Sequence, residues 1–405
     1  MADSPLHQSA ALHQPFQGLP SWLILLGALT AVGSLSVDMY LPSFPAIVTT
    51  FNTDAGAVQR TLSMFFIGLA LGQLVYGPLS DRFGRKPLLM AGMVLYTVAS
   101  LACALAPSIY ALQWSRFLQA LGGCAGIIIP RAAIRDRCDA LGSARALSLV
   151  MLVMGAAPIL APQLGSWVLI WFDWRAIFGA LLLFGVASLI AIYFGMEETV
   201  DRVTAPRINI HSIFRNYREL LCDRQFLTFS LCGGFASAGM FAYIAGSPFV
   251  LMQIYGISAH LYGWVFGANA VGLVIGSQIN ARLLAHHSPR KILACAVFIP
   301  LLAGVVLLVL KVSHISGLLI LLPALFLAVG SLGFITPNSS ALSLQHQGVR
   351  AGAATALMGA LQLGLATLSS VAISMWQVQS EFPLAVMITI CGTGALLMYQ
   401  LVPRE

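Results

Sequence analysis

The feature that most limits what this chain can become is a succession of twelve apolar runs. They lie near 21–47, 57–79, 87–106, 108–131, 144–171 and 174–195, then 226–254, 261–284, 290–310, 314–338, 351–376 and 382–403. At about 1.5 Å of rise per residue, a run of about 20 residues crosses the roughly 30 Å hydrocarbon core of a bilayer as one helix. A spanning β-strand needs only about ten residues and alternates apolar with polar, whereas these runs are apolar throughout. Composition agrees, with 59% of the 405 residues hydrophobic and 9% charged, against about 25% charged in an average soluble domain. The sequence therefore predicts an all-α integral membrane protein of twelve transmembrane helices.

Short basic loops resist translocation, so Lys and Arg mark the inner side of a membrane protein. Seventeen of the 21 fall on one set of alternate loops and the C-terminal tail. Arg60, Arg175 and Lys311 fall on the other set, and Arg116 lies inside a span. Both termini are thus expected to be cytoplasmic. This pattern accounts for the net charge of +7, and arginines scattered over several loops make a poor nucleic-acid surface. The first twenty residues hold no Lys or Arg, unlike a cleaved signal peptide. The seven cysteines and eight histidines show neither a disulfide framework nor paired metal-ligand spacing, so no cofactor or metal is expected. Walker loop, nucleophile elbow and soluble domain are all lacking, which argues against an enzyme.

The chain divides into a tail (1–20), a first six-span unit (21–195), a linker (196–225) and a second six-span unit (226–405). The linker is basic and broken by Pro206, with apolar positions at Ile208, Ile210, Ile213, Phe214, Tyr217, Leu220 and Leu221. An amphipathic helix on the inner membrane face and an ordered linker helix with no lipid role both fit that pattern. A faint repeat supports the division. "GPLSDRFGRKP" (Gly77 to Pro87) follows the second span and "GSQINARLLAHHSPRK" (Gly276 to Lys291) follows the eighth, with Asn280 in the place of Asp81. Repeated halves around a midplane site are a signature of secondary transporters.

Thirteen of the fourteen acids fall on tails, loops or helix ends; Asp38, in "LSVDMYLPSFP" (Leu35 to Pro45), is deep inside a span. It lies about 15 Å from the outer end of its helix, where a charge costs roughly 3 kcal/mol on insertion scales. Burial and a nearby cation push a carboxyl group's proton affinity in opposite directions, so a site whose surroundings change can bind and release a proton. Asp38 is the candidate proton carrier. Arg116 is estimated at about 12 Å depth on an antiparallel helix. It is the candidate electrostatic counterpart, either in direct contact or through polar groups and water. A fixed structural role is the alternative for each.

In the loop, Gly77 and Gly84 permit close approach or positive φ. Asp81 can accept from a helix N-terminus, and Arg82, Arg85 and Lys86 can pair with acids on neighbouring helix ends. In the fifth span, Pro158 and Pro162 remove two backbone donors, and Gly155 and Gly165 allow tight packing against the other half. Plain packing explains that span equally well.

These segments carry a resemblance. "GPLSDRFGRKP" resembles the loop motif of the major facilitator superfamily. "RFLQALGG" (Arg116 to Gly123) resembles the fourth-helix motif of its proton-coupled members, with Ala120 where many have glycine. "GAAPILAPQLG" (Gly155 to Gly165) resembles its fifth-helix antiporter motif, with Ala161 in place of a common glycine. With "DMYLP", "RAAIRD" (Arg131 to Asp136), "DWRAIF", "GSPFV" and "AGAATALMGALQ", the set is similar to the Bcr/CflA subfamily of multidrug efflux carriers.

The resemblance implies two pseudo-symmetric six-helix bundles and a proton-driven drug antiporter of the bacterial inner membrane, for which a single chain suffices. It implies a gating latch of Gly77, Asp81, Arg82, Gly84, Arg85 and Lys86 with Arg131, Arg135 and Asp136. It also implies a seal against leakage in the fifth helix. The first, fourth, seventh and tenth helices line the cavity in that fold. Candidate substrate contacts are therefore Tyr40, Gln119, Phe241, Tyr243 and Asn338, with Asn269 and Gln362 from adjoining helices. A carrier of amino acids, short peptides or sugars shares the fold and remains an alternative to drug export.

Overall fold

The computed structural model describes residues 21–138, 140–199, 210–313, 317–376 and 380–402. The expected N-terminal tail and residues 200–209 of the linker, with Pro206 and Ile208, lie outside the described residues. The described residues form helices and no strand. Six spans come first: α1 (Trp22–Phe51), α2 (Ala55–Phe83), α3 (Arg85–Ala104), α4 (Ile109–Arg137), α5 (Ala140–Trp171) and α6 (Arg175–Gly195). A shorter helix, α7 (Ile210–Cys222), follows. Six more spans complete the chain: α8 (Arg224–Ile254), α9 (Ala259–Leu283), α10 (Pro289–Val312), α11 (Leu318–Leu344), α12 (Ala351–Met375) and α13 (Phe382–Gln400). All twelve are long and apolar enough to cross a membrane, and the molecule is a multi-pass membrane protein.

Helix ends overrun the apolar runs where the neighbouring residues are charged but good helix formers. α4 continues to Arg137, six residues past the expected limit, which places Arg131, Arg135 and Asp136 on a helix rather than a loop. Hydropathy detects only the hydrocarbon-embedded part of a helix, whereas the backbone ladder continues into the polar layer. Starts are set by side chains that accept from orphan amides. Asp54 accepts from Ala57 N at 2.7 Å, Ser108 from Ala111 N at 3.2 Å, and Asp223 from Gln225 N and Phe226 N at 3.0 and 3.1 Å.

α1 is interrupted where function is expected. An α-helical segment ends at Asp38, a 3₁₀ turn covers Leu41–Ser43 and an α-helix resumes at Phe44–Phe51. Pro42 has no N–H, so the Asp38 carbonyl loses its donor four residues on. Just beyond, the Ser43 hydroxyl donates to Tyr40 O at 2.6 Å, within the 3₁₀ turn.

The two bundles meet along α2 with α12 and α5 with α9. We call the end bearing most of the arginines the basic end, and the other the sparse end. At the sparse end the halves are tied by Gln59 Nε2 donating to Ala245 O (3.1 Å), the Ser63 and Ser370 hydroxyls at 2.9 Å, and Ser166 donating to Ala259 O (2.9 Å). Phe44 packs on Phe249 with ring centroids 5.5 Å apart. At the basic end, α7 docks on the second bundle. Leu220 is buried with Phe226, Ala354 and Leu357, with Tyr217 and Leu74 of α2 against the same cluster. Glu219 receives Arg350 at 2.7 Å. Burial raises the Tyr217 hydroxyl above its ordinary pKa, keeping it a neutral donor. Beyond the end of α8, Tyr255 donates to Glu381 (3.3 Å), and burial first, then the Glu381 charge, pushes its pKa up to about 12.

Candidate functional site

A cavity of about 170 Å³ lies between the bundles. α1 contributes Asp38, α2 Phe66, α5 Pro158, α8 Phe241 and Tyr243, and α9 Phe266 and Asn269. Its walls are aromatic and ordered: Phe66 meets Phe241 edge-on at 4.6 Å, and Tyr243 stacks on Phe266 at 5.6 Å. Asn269 Nδ2 donates to the Tyr243 hydroxyl at 2.7 Å, which fixes that ring against the cavity. Asp38 is 4% exposed, and among the described residues no hydrogen bond or ion pair reaches its carboxyl group.

Arg116 is not beside Asp38. It is wholly buried within the first bundle, its guanidinium 4.1 Å from the Phe65 ring centroid, 4.8 Å from Tyr40 and 5.7 Å from Phe178. Nη1 donates to Gln119 Oε1 at 2.6 Å, Gln119 Nε2 to Ser100 Oγ at 2.8 Å, and Ser100 to Tyr96 O at 2.7 Å. The Tyr96 hydroxyl is 2.9 Å from Ser36 Oγ. The cluster thus touches α1 on both sides of Asp38, at Ser36 and at Tyr40, without a direct ion pair. A cation held on ring faces and a neutral amide keeps its charge at the cost of desolvation.

Tyr40 and Gln119 belong to this cluster and not to the cavity wall, whereas Phe241, Tyr243 and Asn269 line the cavity. Asn338 is spent elsewhere, donating from Nδ2 to Asn280 Oδ1 at 2.6 Å between α9 and α11. Gln362 lies between α12 and α8 beside Gly233.

The loop residues converge on Arg85. It meets Asp81 at 2.6 Å, Asp136 at 2.9 Å and Ser80 Oγ at 2.5 Å. Gly84 ends α2 with φ of 97°, and Glu198 sits against its Cα while accepting from Arg85 N (2.9 Å) and Lys86 N (3.3 Å). Lys86 Nζ donates to Tyr193 O at 2.8 Å. Apart from Glu198, which belongs to the linker just beyond α6, the partners in these contacts all lie within the first bundle. Arg131 reaches Met154 Sδ at 3.0 Å, Arg135 is exposed, and Arg82 lies over the neighbouring Phe83 ring. The expectation of close approach at Gly77 is corrected, because a Cβ there meets nothing within 4 Å.

In α5, Pro158 and Pro162 sit in one continuous helix, Ala140–Trp171. Gly155 faces the other half, where Val274 of α9 lies 3.6 Å from the position of a Cβ. Gly165 does not: it packs on the Met39 carbonyl of its own bundle, because the interrupted turn of α1 crosses α5 there. The sequence reading missed Phe66 and Phe266, and also Gln163, whose amide is buried with neither end paired among the described residues and lies against Gly263 of α9. Spacing could have found Phe266, which is three residues before Asn269 and so on the same helix face.

Two six-helix bundles around a central cavity, with α2 against α12 and α5 against α9, define a membrane transporter and not an enzyme. The Major Facilitator Superfamily model matches residues 26–374, and the chain belongs to that superfamily. It is 33% identical over 379 residues to YdgK, an uncharacterized MFS-type transporter of Bacillus subtilis, covering 93% of this chain and 94% of that protein. It is 27% identical over 378 residues to the Bicyclomycin resistance protein homolog of Haemophilus influenzae, with 93% and 95% covered. The multidrug resistance protein MdtL of Escherichia fergusonii is 30% identical over 342 residues, with 84% and 85% covered. A bacterial homologue of the human lysosomal transporter Spinster, solved inward-facing and unoccupied, superposes with a TM-score of 0.65 over 95% of each chain at 15% identity.

Proposed function

We propose that this protein exports small amphipathic molecules, antibiotics among them, across the bacterial inner membrane in exchange for protons, by opening its cavity to one side and then the other. One observation carries the reading: Asp38 is a carboxyl group without a hydrogen-bond or ion-pair partner among the described residues, lining a cavity between the two bundles. Wetting the cavity or filling it with substrate changes the surroundings of that group, and with them its hold on a proton. Phe66, Phe241 and Phe266 offer ring faces to a substrate, and Tyr243 and Asn269 offer the few polar groups that orient it. The relatives named for bicyclomycin and multidrug resistance support the substrate class.

Arg116 is the electrostatic counterpart in this reading, acting through Tyr40 and Ser36 on the α1 interruption rather than by contact. The basic end is cytoplasmic by its arginine content, which puts both termini inside and the Phe44–Phe249 contact toward the outside. The Arg85 cluster holds the α2–α3 turn in the shape needed to latch the halves when the inner end closes. The same reading keeps 21–195 and 226–405 as the moving units, with 196–225 between them and the tail (1–20) outside both.

Everted membrane vesicles test it. With an acidic lumen, bicyclomycin and other amphipathic antibiotics are expected to accumulate inside, and a protonophore or Asp38→Asn abolishes that uptake at normal expression. Uptake indifferent to the protonophore sinks the coupling. Gradient-driven movement of amino acids, short peptides or sugars, with antibiotics unmoved, replaces the substrate class.

A further inference from the structure

The second half of the chain carries a basic segment between α9 and α10. From Arg224 to Ser380 the sequence holds no aspartate or glutamate. In the first half, Arg85 is neutralised by Asp81 and Asp136, and Glu198 occupies the amides that follow Gly84. At the corresponding place in the second half stands Asn280, whose side chain accepts from Asn338. The stretch that follows it holds Arg282, His286, His287, Arg290 and Lys291. Among the described residues no carboxylate lies within ion-pair distance of Arg282 or Lys291.

Beside these cations lies a groove of about 290 Å³. Leu283 at the end of α9, Ile292 and Cys295 on α10 and Phe334 on α11 form its apolar walls, with His287 and Lys291 lining it as well. Both of those side chains are exposed, as is Cys295. Leu284 and Phe298, the chain neighbours of lining residues Leu283 and Ile299, are 40% and 46% exposed, as expected of lipid-facing side chains.

We propose that this groove binds an anionic phospholipid, one acyl chain lying between α9, α10 and α11 and the phosphate held by His287 and Lys291. An apolar slot alone suits any lipid tail, and cations alone suit any anion. The two together, at the basic end of a spanning bundle, fit a molecule with a charged head and a hydrocarbon chain. Basic pockets between spans near a membrane surface are general headgroup sites. The lipid phosphate then supplies the negative charge that the first half builds from its own carboxylates. The inference rests on the basic end lying at a membrane surface, and it stands whether or not the cavity carries antibiotics.

Native mass spectrometry of the detergent-purified full-length protein, titrated with dioleoyl phosphatidylglycerol or dioleoyl phosphatidylcholine, tests it. One phosphatidylglycerol is expected to be retained in preference to phosphatidylcholine. Its occupancy is expected to fall about fivefold or more in the double variant Lys291→Gln, His287→Gln, as for loss of roughly one interfacial cation. A comparable fall is expected in Cys295→Trp, which fills the groove without touching the charges. Arg218→Gln removes an exposed cation of α7 at the same end and is expected to leave occupancy unchanged. All variants are compared only as monodisperse, folded protein. Equal retention of the two lipids, an equal loss in Arg218→Gln, or displacement of the lipid by millimolar inorganic phosphate overturns the proposal.

Discussion

Asp38 and Tyr40 are two residues apart, yet one lines the cavity and the other packs under the guanidinium of Arg116. Successive helical residues turn by about 100°, so positions i and i+2 point in nearly opposite directions. The same phase argument puts Gln119, three residues after Arg116, on that residue's buried face. Depth along a span was legible in the sequence because it counts residues; facing was not, because an isolated aromatic or amide carries no record of which bundle it meets. Two predictions belong at this scale. Arg116→Lys keeps the charge but loses the planar fork on Gln119 and the stack on Phe65. Transport in vesicles is expected to drop about tenfold or more, with the protein still correctly inserted, and an unchanged rate would show that only charge matters. Asn269→Leu removes the donor that holds Tyr243. Apparent substrate affinity is expected to weaken by about fivefold, the loss of roughly 1 kcal/mol for one hydrogen bond. Proton coupling should be intact, and a direct measurement of substrate-induced proton release checks it.

At the scale of elements, the twelve spans were readable because a bilayer demands continuous apolar length, but the ends were misjudged both ways: α4 extends into the polar layer past Arg131 to Arg137, whereas α3 stops at Ala104 and α13 at Gln400, short of the expected 106 and 403. The partners of Arg85 were less readable. Asp136 and Glu198 lie far along the chain, and their convergence follows from how α2, α4 and α6 end at one surface. Gly84 is the exception, since a glycine between two helices signals a turn and its φ of 97° shows one. Gly84→Ala forces a Cβ into that backbone and onto Glu198. It is expected to cost about 1–3 kcal/mol, read as a lower midpoint in detergent thermal unfolding. The α5–α9 contact carries a different cost. Gln163 is buried against Gly263 with an unpaired amide, a penalty of about 1–3 kcal/mol that opening the sparse end would relieve. Gln163→Leu is expected to favour the sealed arrangement and slow turnover several-fold while raising thermal stability. Faster turnover would mean that the amide does not oppose the seal.

For the molecule as a whole, sidedness is the decisive question, because in the proposed cycle the sealed end opens toward one compartment and topology decides which. The present cavity of about 170 Å³ is smaller than the roughly 300–1,000 Å³ of drug-sized sites, so substrate entry requires the bundles to part. In the proposed alternating-access cycle the sparse end, tied by Gln59, Ser63 and Phe44, opens once. The topology proposed from arginine content puts that end outside, and cysteine chemistry can check the proposal directly. Cys222 is exposed on α7 at the basic end, and His260 is exposed at the start of α9 at the sparse end. A membrane-impermeant maleimide is expected to label Cys222 in everted vesicles and not in intact spheroplasts. In a Cys222→Ser, Cys295→Ser background, His260→Cys should give the opposite pattern. The reverse result would place the sealed end inside and overturn the assigned topology, while the sense of transport would still be set by whether proton and substrate move in opposite directions, which the vesicle assay reads.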